Sequence, residues 1–171
     1  MSLPPIEQIQ QALRNVTERL PLQLQAGAPA PEWTQLEWRL APAVAAMHGV
    51  SPLLAHGARR DAPREWSEFL EHQRDMTLAR HELLRQLLER IGESARRENI
   101  AVVPLKGAAL CRLGVYAAGE RPMADLDLLV GPDDGAQAAR ILGSLGYRES
   151  EGNWKHRCFE PLHGAHQAVL G

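Results

Sequence analysis

The scarcities of this sequence narrow it first. It holds two cysteines, Cys111 and Cys158, too few for a disulfide scaffold and without the Cys-x-x-Cys spacing of a metal knuckle. Two buried or free thiols in a reducing compartment are expected, and with them a cytoplasmic location. No run approaches the ~18 to 20 consecutive apolar residues of a membrane span, and Met1 to Pro5 form neither a basic nor an apolar leader region. A soluble chain with no membrane partner is the expectation. Charge of one sign is also lacking. Nineteen Lys+Arg against 21 Asp+Glu leave a formal net charge of -2, so no basic field exists for a long nucleic acid. Lysine is the rarest cation, with only Lys106 and Lys155 among otherwise all-arginine basic residues. Aromatics are 5% of the chain, and the four tryptophans, Trp33, Trp38, Trp66 and Trp154, read as core or interface anchors rather than base-stacking platforms.

What is present is a globular composition: 44% hydrophobic and 23% charged over 171 residues, enough for one compact domain with a real core. Apolar positions Ile6, Ile9, Leu13, Val16 and Leu20 keep helical spacing, with Pro4 and Pro5 where a first turn tolerates them. Residues 21–31 break every period and read as a loop. A helix resumes from Glu32 to Met47, kinked or split by Pro42. From Ala62 to Arg97, Trp66, Phe69, Leu70, Met76, Leu83, Leu84, Leu87, Leu88 and Ile91 mark one long helix or two collinear ones. Its mixed charges read as a solvated face.

At Ile100 the period changes. Ile100–Val103 and Leu126–Val130 read as two short buried strands, separated by a helix over Ala108–Leu113 and a loop holding Gly114, Gly119 and Pro122. Asp133 or Asp134 caps a further helix that ends near Leu145-Gly146, with Ala136, Ala139, Leu142 and Leu145 inward. Residues 147–150, 155–160 and 166–170 read as further short strands. The expected fold is α+β: a helical region over residues 1–97, then a small mixed-sheet α/β unit over residues 98–171.

Three features of that unit bear on chemistry. Asp125 and Asp127 stand at i and i+2 of a strand, which sends both carboxylates to one side. Such a pair either binds a hard divalent ion together with substrate phosphates or merely marks a strand entrance facing water. Lys106-Gly107-Ala108 runs from a strand end into a helix start, where unpaired amides and a positive dipole end suit a phosphate; a plain turn with a solvated lysine is the other reading. Arg121, on the loop entering the second strand, either neutralises phosphate or pairs with Asp125 or Glu120. His156, Cys158, His163 and His166 match no common zinc spacing, and His72 and His81, nine residues apart on a helix, share no face.

The stretch PLKGAALCRLGVYAAGERPMADLDLLVGPDD, Pro104–Asp134, resembles the uncharacterised nucleotidyltransferase family of the DNA polymerase beta-like superfamily, with its Leu-Lys-Gly-Ala-Ala-Leu and its Arg-Pro-Met-x-Asp-x-Asp-Leu-Leu-Val. His48-Gly49-Val50-Ser51-Pro52-Leu53-Leu54 is similar to that family's His-x-Val-x-Pro-Leu-Leu segment. The resemblance implies a nucleotidyltransferase-like core that moves a nucleoside monophosphate from a Mg²⁺-bound nucleoside triphosphate, such as ATP, to an unknown acceptor. Asp125 and Asp127 would be the catalytic metal ligands of a two-metal site, with Lys106, Gly107, Ala108 and Arg121 at the phosphates. The alternative is a non-catalytic nucleotide- or partner-binding module that retains the fold. Lys106-Gly107-Ala108 stands where the superfamily has Gly-Ser or Gly-Gly, so Lys106 would replace a serine hydroxyl. The usual third carboxylate is expected just beyond Leu170. The resemblance therefore implies a truncated member, inactive as a 171-residue form, unless Glu149 or Glu160 stands beside the Asp125 strand on the same face.

Overall fold

The computed structural model of the chain describes residues 3–25, 27–55, 62–153 and 156–162. Its elements follow the order α1 (Ile6–Arg19), a 3-10 turn (Leu20–Leu24), α2 (Gln35–Met47), α3 (Ser51–Ala55), α4 (Arg64–Arg97), β1 (Val102–Pro104), α5 (Lys106–Arg112), β2 (Leu128–Val130), α6 (Gly135–Ser144), β3 (Tyr147–Asn153) and β4 (His156–Pro161). The α+β class expected from the sequence is the class observed. Of the mixed pairing expected in the sheet, the described residues form antiparallel ladders alone, β1 with β2 and β3 with β4. The third strand expected, over residues 166–170, lies outside the described residues, as do Trp154, Lys155, His163 and His166.

Contacts divide the chain into two compact units. One comprises the residues up to His81 with Leu110–Ala124, and the other Glu82–Ala109 with the residues from Asp125 onward. In the first, Val16 and Leu20, Trp33, Ala41, Val44 and Ala45, Leu54, and Trp66 with Leu70 close one core. Trp33, Trp38 and Trp66 meet edge to face at 4.7–6.2 Å between ring centroids, and Phe69 stacks on Trp66. Three of the four tryptophans are thus core anchors, in line with the reading of these residues as core or interface anchors rather than base-stacking platforms. In the second unit Ala95, Ile100 and Ile141 form a smaller core with Val102, Ala138 and Leu145. The inward face of α6 is therefore Ala138–Ile141–Leu145, and Ala136 is exposed. The branched Ile141 carries more apolar area than the alanines of the neighbouring stripe, and burial of that area fixes the helix rotation.

Helix ends follow local chemistry. Pro5 and Pro63 stand just before α1 and α4, and their carbonyls accept the first intrahelical bonds. Pro42 lies inside α2 without splitting it; the buried face of Ala41, Val44 and Ala45 outweighs the one amide it removes. Asn99 takes the left-handed conformation after α4, and the Ile100 amide returns to the Ala95 carbonyl at 3.0 Å. Gly49 does the same after α2, with Val50 bonding Ala45. This stop launches α3, an element that the sequence pattern did not indicate.

The start of α2 holds a buried charge. Thr34 and Glu37 form a reciprocal capping box, with the Thr34 amide donating to Glu37 Oε2 at 2.7 Å and the Glu37 amide to Thr34 Oγ1 at 3.3 Å. From α1, the Asn15 amide donates to Glu37 Oε1 at 2.8 Å. Glu37 is 4% exposed, so α1 and α2 are joined by a carboxylate that water barely reaches. The Thr34 amide, and then Asn15, hold that carboxyl below its ordinary range against the opposing effect of burial. A carboxyl lowered on folding contributes stability above its unfolded pKa and loses it as pH falls through the folded value. Glu37→Ala is expected to lower urea stability by about 1–3 kcal/mol at pH 7. The gap should narrow at pH values below the ordinary glutamate range, as the parent's own lowered carboxyl protonates.

Candidate functional site

The second unit brings two of the segments singled out in the sequence to one end of the β1–β2 ladder. The strands pair Val102 with Val130, Val103 with Leu129 and Pro104 with Leu128. One further backbone bond closes the end, the Leu105 amide to the Asp127 carbonyl at 2.8 Å. The ladder then runs out. Lys106 adopts φ +46, and α5 leaves at once. Asp125 and Asp127 therefore precede β2 rather than lying within a strand from Leu126, which corrects the expected placement. The physical reason is the partner: β1 stops at Pro104, so nothing in it pairs with Ala124–Leu126. The helix likewise begins at Lys106, two residues before the expected start.

The side chains follow from that closure. Lys106 Nζ lies 3.1 Å from both carboxylate oxygens of Asp127. Lys106 is 71% exposed at its side chain and Asp127 33%, so this is a surface ion pair worth less than about 1 kcal/mol. Its interest is chemical: a carboxylate at the strand entrance already draws a cation. Asp125 is exposed, Gly107 half-buried and Ala108 buried under the first turn of α5. Among the described residues, no group of three or more His, Cys, Asp or Glu side chains is gathered for a metal.

Glu149 and Glu160 do not stand beside the Asp125 segment among the described residues. They belong to the separate β3–β4 ladder, where Glu149 faces Phe159 and Glu160 faces Arg148. Glu149 takes both ends of the Arg157 guanidinium at 2.6 Å, and that bond holds its carboxyl below the usual range. Both cysteines are free. Cys158 is exposed on β4, and burial pushes the half-buried Cys111 thiol up.

Arg121 belongs to the first unit. Its guanidinium carbon sits 5.7 Å from the centroid of the Tyr116 ring, and its Nη1 is buried without a hydrogen-bond partner. The loop that carries it is held by α4 through residues that the sequence pattern left unassigned. The Gly119 amide donates to His81 Nδ1 at 3.1 Å, and His81 Nε2 lies 2.7 Å from the Arg121 carbonyl. Since Nδ1 accepts, the ring proton is on Nε2, and the imidazole bridges the loop as a neutral group. Arg80 Nη2 donates to the Ala124 carbonyl at 2.7 Å. Gly119 itself, at φ +83, lies so close to α4 that a Cβ there would meet Leu78 Cγ at 2.7 Å. Below it, the Ala117 amide donates to Glu120 Oε2 at 2.7 Å and the Glu120 amide to the Ala117 carbonyl at 3.2 Å, closing the turn. On α4 the histidine that matters is thus a loop clamp.

The sequence profile of a family described as an uncharacterised nucleotidyltransferase matches residues 34–168. Neither the curated proteins nor the solved structures hold a significant match.

His81→Leu removes both bonds to the loop at similar volume. Amide exchange at Gly119 is expected to accelerate by about fivefold or more, the equivalent of one lost hydrogen bond. Deuterium exchange read by NMR checks this against amides of the distant α1 helix, which should not change.

Proposed function

The chain belongs to an uncharacterised nucleotidyltransferase family, and from that premise we propose that it binds a nucleoside triphosphate where β1, α5 and β2 meet and transfers its nucleoside monophosphate to an acceptor. The observation that supports this best is the Lys106–Asp127 pair, a cation and a carboxylate from segments 21 residues apart, joined at one ladder end. Exposure leaves both free to exchange partners. Two carboxylates at this end fit the mode in which Mg²⁺ takes one or two protein oxygens and completes its shell with phosphate. Asp125 and Asp127 would hold the ion, whose charge would offset that of the triphosphate.

The chain's own residues would act on the phosphates by position and charge. Lys106 is a point cation on a flexible stem, and once an ion takes over Asp127 its ammonium can turn to the β- and γ-phosphate oxygens. Gly107 and Ala108 would present backbone at the start of α5. In the transfer, an acceptor atom bonds to the α-phosphorus as the bond to the bridging oxygen breaks and pyrophosphate leaves. A second reading, a binding module without turnover, is favoured by one observation. Among the described residues no third carboxylate joins Asp125 and Asp127, and a second ion would have too little negative charge to offset its dehydration.

Calorimetry of ATP with and without Mg²⁺ tests both readings, with binding expected only when the ion is present. Asp125→Asn and Asp127→Asn should each reduce that binding at least about tenfold, as loss of a charged ligand does. Melting temperature should stay equal or rise for Asp125→Asn. For Asp127→Asn, which also loses the Lys106 pair, stability should change by less than about 1 kcal/mol. Lys106→Ala should weaken triphosphate more than monophosphate. Labelled nucleoside triphosphates incubated with a metabolite extract then separate the two readings, since only an enzyme moves label into a new product. Mg²⁺-dependent binding untouched by either aspartate variant would place the nucleotide elsewhere.

A further inference from the structure

A second site lies wholly within the first unit, formed by residues that the nucleotide reading does not use. The end of α2, α3, the middle of α4 and the Pro122–Met123 segment line an open cavity of about 290 Å³, at the small end of ligand pockets. Two of the stretches that carry the family resemblance contribute to it: Ser51 and Pro52 come from the His48–Leu54 segment, and Met123 follows Arg121-Pro122. The nucleotide reading draws on neither stretch at these positions. Their meeting at one cavity has a chemical character of its own.

Ser51 is the informative residue. It is 1% exposed, it lines the cavity, and its hydroxyl has no hydrogen-bond partner in the protein. A buried hydroxyl left unpaired costs stability, and a native structure retains one where something else satisfies it. Thr77 is different: its hydroxyl is already committed as a donor to the Gln73 carbonyl at 2.8 Å, which leaves only its lone pairs. The cavity wall therefore offers a buried, uncommitted hydroxyl in Ser51, with the Gln73 side chain as a further polar group. It also carries a cation, Arg80, whose Nη2 is fixed on the Ala124 carbonyl while its fork holds further N–H donors. The rest of the lining is mainly apolar, with Pro52, Met76 and Met123, and methionine side chains adapt to varied shapes.

We propose that this cavity binds a small apolar monocarboxylic acid. The carboxylate accepts from the Arg80 guanidinium and the Ser51 hydroxyl, and the hydrocarbon body lies against the methionines and proline. A neutral alcohol of equal length lacks the charge for Arg80, and an amine places like charge beside it. The site takes its ligand independently of the nucleotide reading, and its test needs no nucleotide.

The full chain is titrated by calorimetry with straight-chain carboxylates from pentanoate to decanoate and with benzoate, and with the alcohol and amine of each length. At least one acid is expected to bind in the micromolar to millimolar range, about tenfold or more tighter than its alcohol, with no binding of the amine. Ser51→Ala should weaken the best acid several-fold while leaving the melting temperature equal or higher, since it deletes an unpaired buried hydroxyl. A lower melting temperature would show the hydroxyl to be structural and overturn its assignment to a ligand. Ala46, exposed at the cavity wall, provides a second variant outside the core: Ala46→Trp should abolish acid binding with the fold intact by circular dichroism. Acid binding that neither variant changes, alcohol binding as tight as acid, or no binding by any acid overturns the proposal.

Discussion

One backbone hydrogen bond, from the Leu105 amide to the Asp127 carbonyl, decides which side chains share the candidate site. It is the last rung of a three-residue ladder, and it ties the end of β1 to the residue before β2. Because it closes there, Lys106 is delivered to Asp127 at the moment the chain turns into α5. Without that rung the two segments are 21 residues apart with a helix and a loop between them, and the entropy of closing such a loop opposes their meeting. The small core of Ala95, Ile100 and Ile141 supplies the apolar burial that holds the ladder against this cost. The site is thus a product of pairing geometry first and of charge second.

The first unit solves a different problem by different means. Its loop from Leu113 to Ala124 has no ladder to join, and unpaired backbone in a compact unit is costly. Side chains on α4 satisfy it instead: the two ring nitrogens of His81 take one donor and one acceptor, and Arg80 takes another carbonyl. A neutral imidazole suits this work since it is the one side chain that offers a donor and an acceptor on opposite sides of a rigid ring. At the other end of the unit, Glu37 performs the corresponding service for the start of α2.

These contrasts explain what was legible in the sequence. The long helices were readable because Trp66, Leu70, Leu84 and Ile91 keep one period over many turns, and repetition averages out local exceptions. The two strands were readable as apolar runs, yet their limits were not. The alternation Asp125-Leu126-Asp127-Leu128 continues a strand pattern past the point where β1 has residues to pair with it, and pairing is a property of two segments. The inward stripe of α6 was placed one position off for a similar reason, since adjacent stripes of alanine and leucine differ little until Ile141 meets Ala95 and Ile100. The expected helix start at Glu32 passed over the Thr34-x-x-Glu37 capping spacing that begins α2 at Gln35, and the Asn15 contact that buries Glu37 comes from another helix. His81 carried no signal at all, because its partners are backbone atoms about 40 residues away, and backbone atoms leave no mark on composition. The family motifs located Lys106, Asp125 and Asp127 in the chain; only the folded ladder brings Lys106 onto Asp127.

The left-handed backbone at Lys106 sets the chain's two interests against each other. A side chain in that region costs roughly 1–2 kcal/mol relative to one that tolerates it, and glycine is the residue that relieves the cost. A laboratory selection for heat resistance would therefore be drawn toward glycine at this position and would gain stability by discarding the ammonium group. Thermal robustness and charge at the ladder end compete for the same residue, so a hardened variant of this protein would be a poor guide to what the natural one binds.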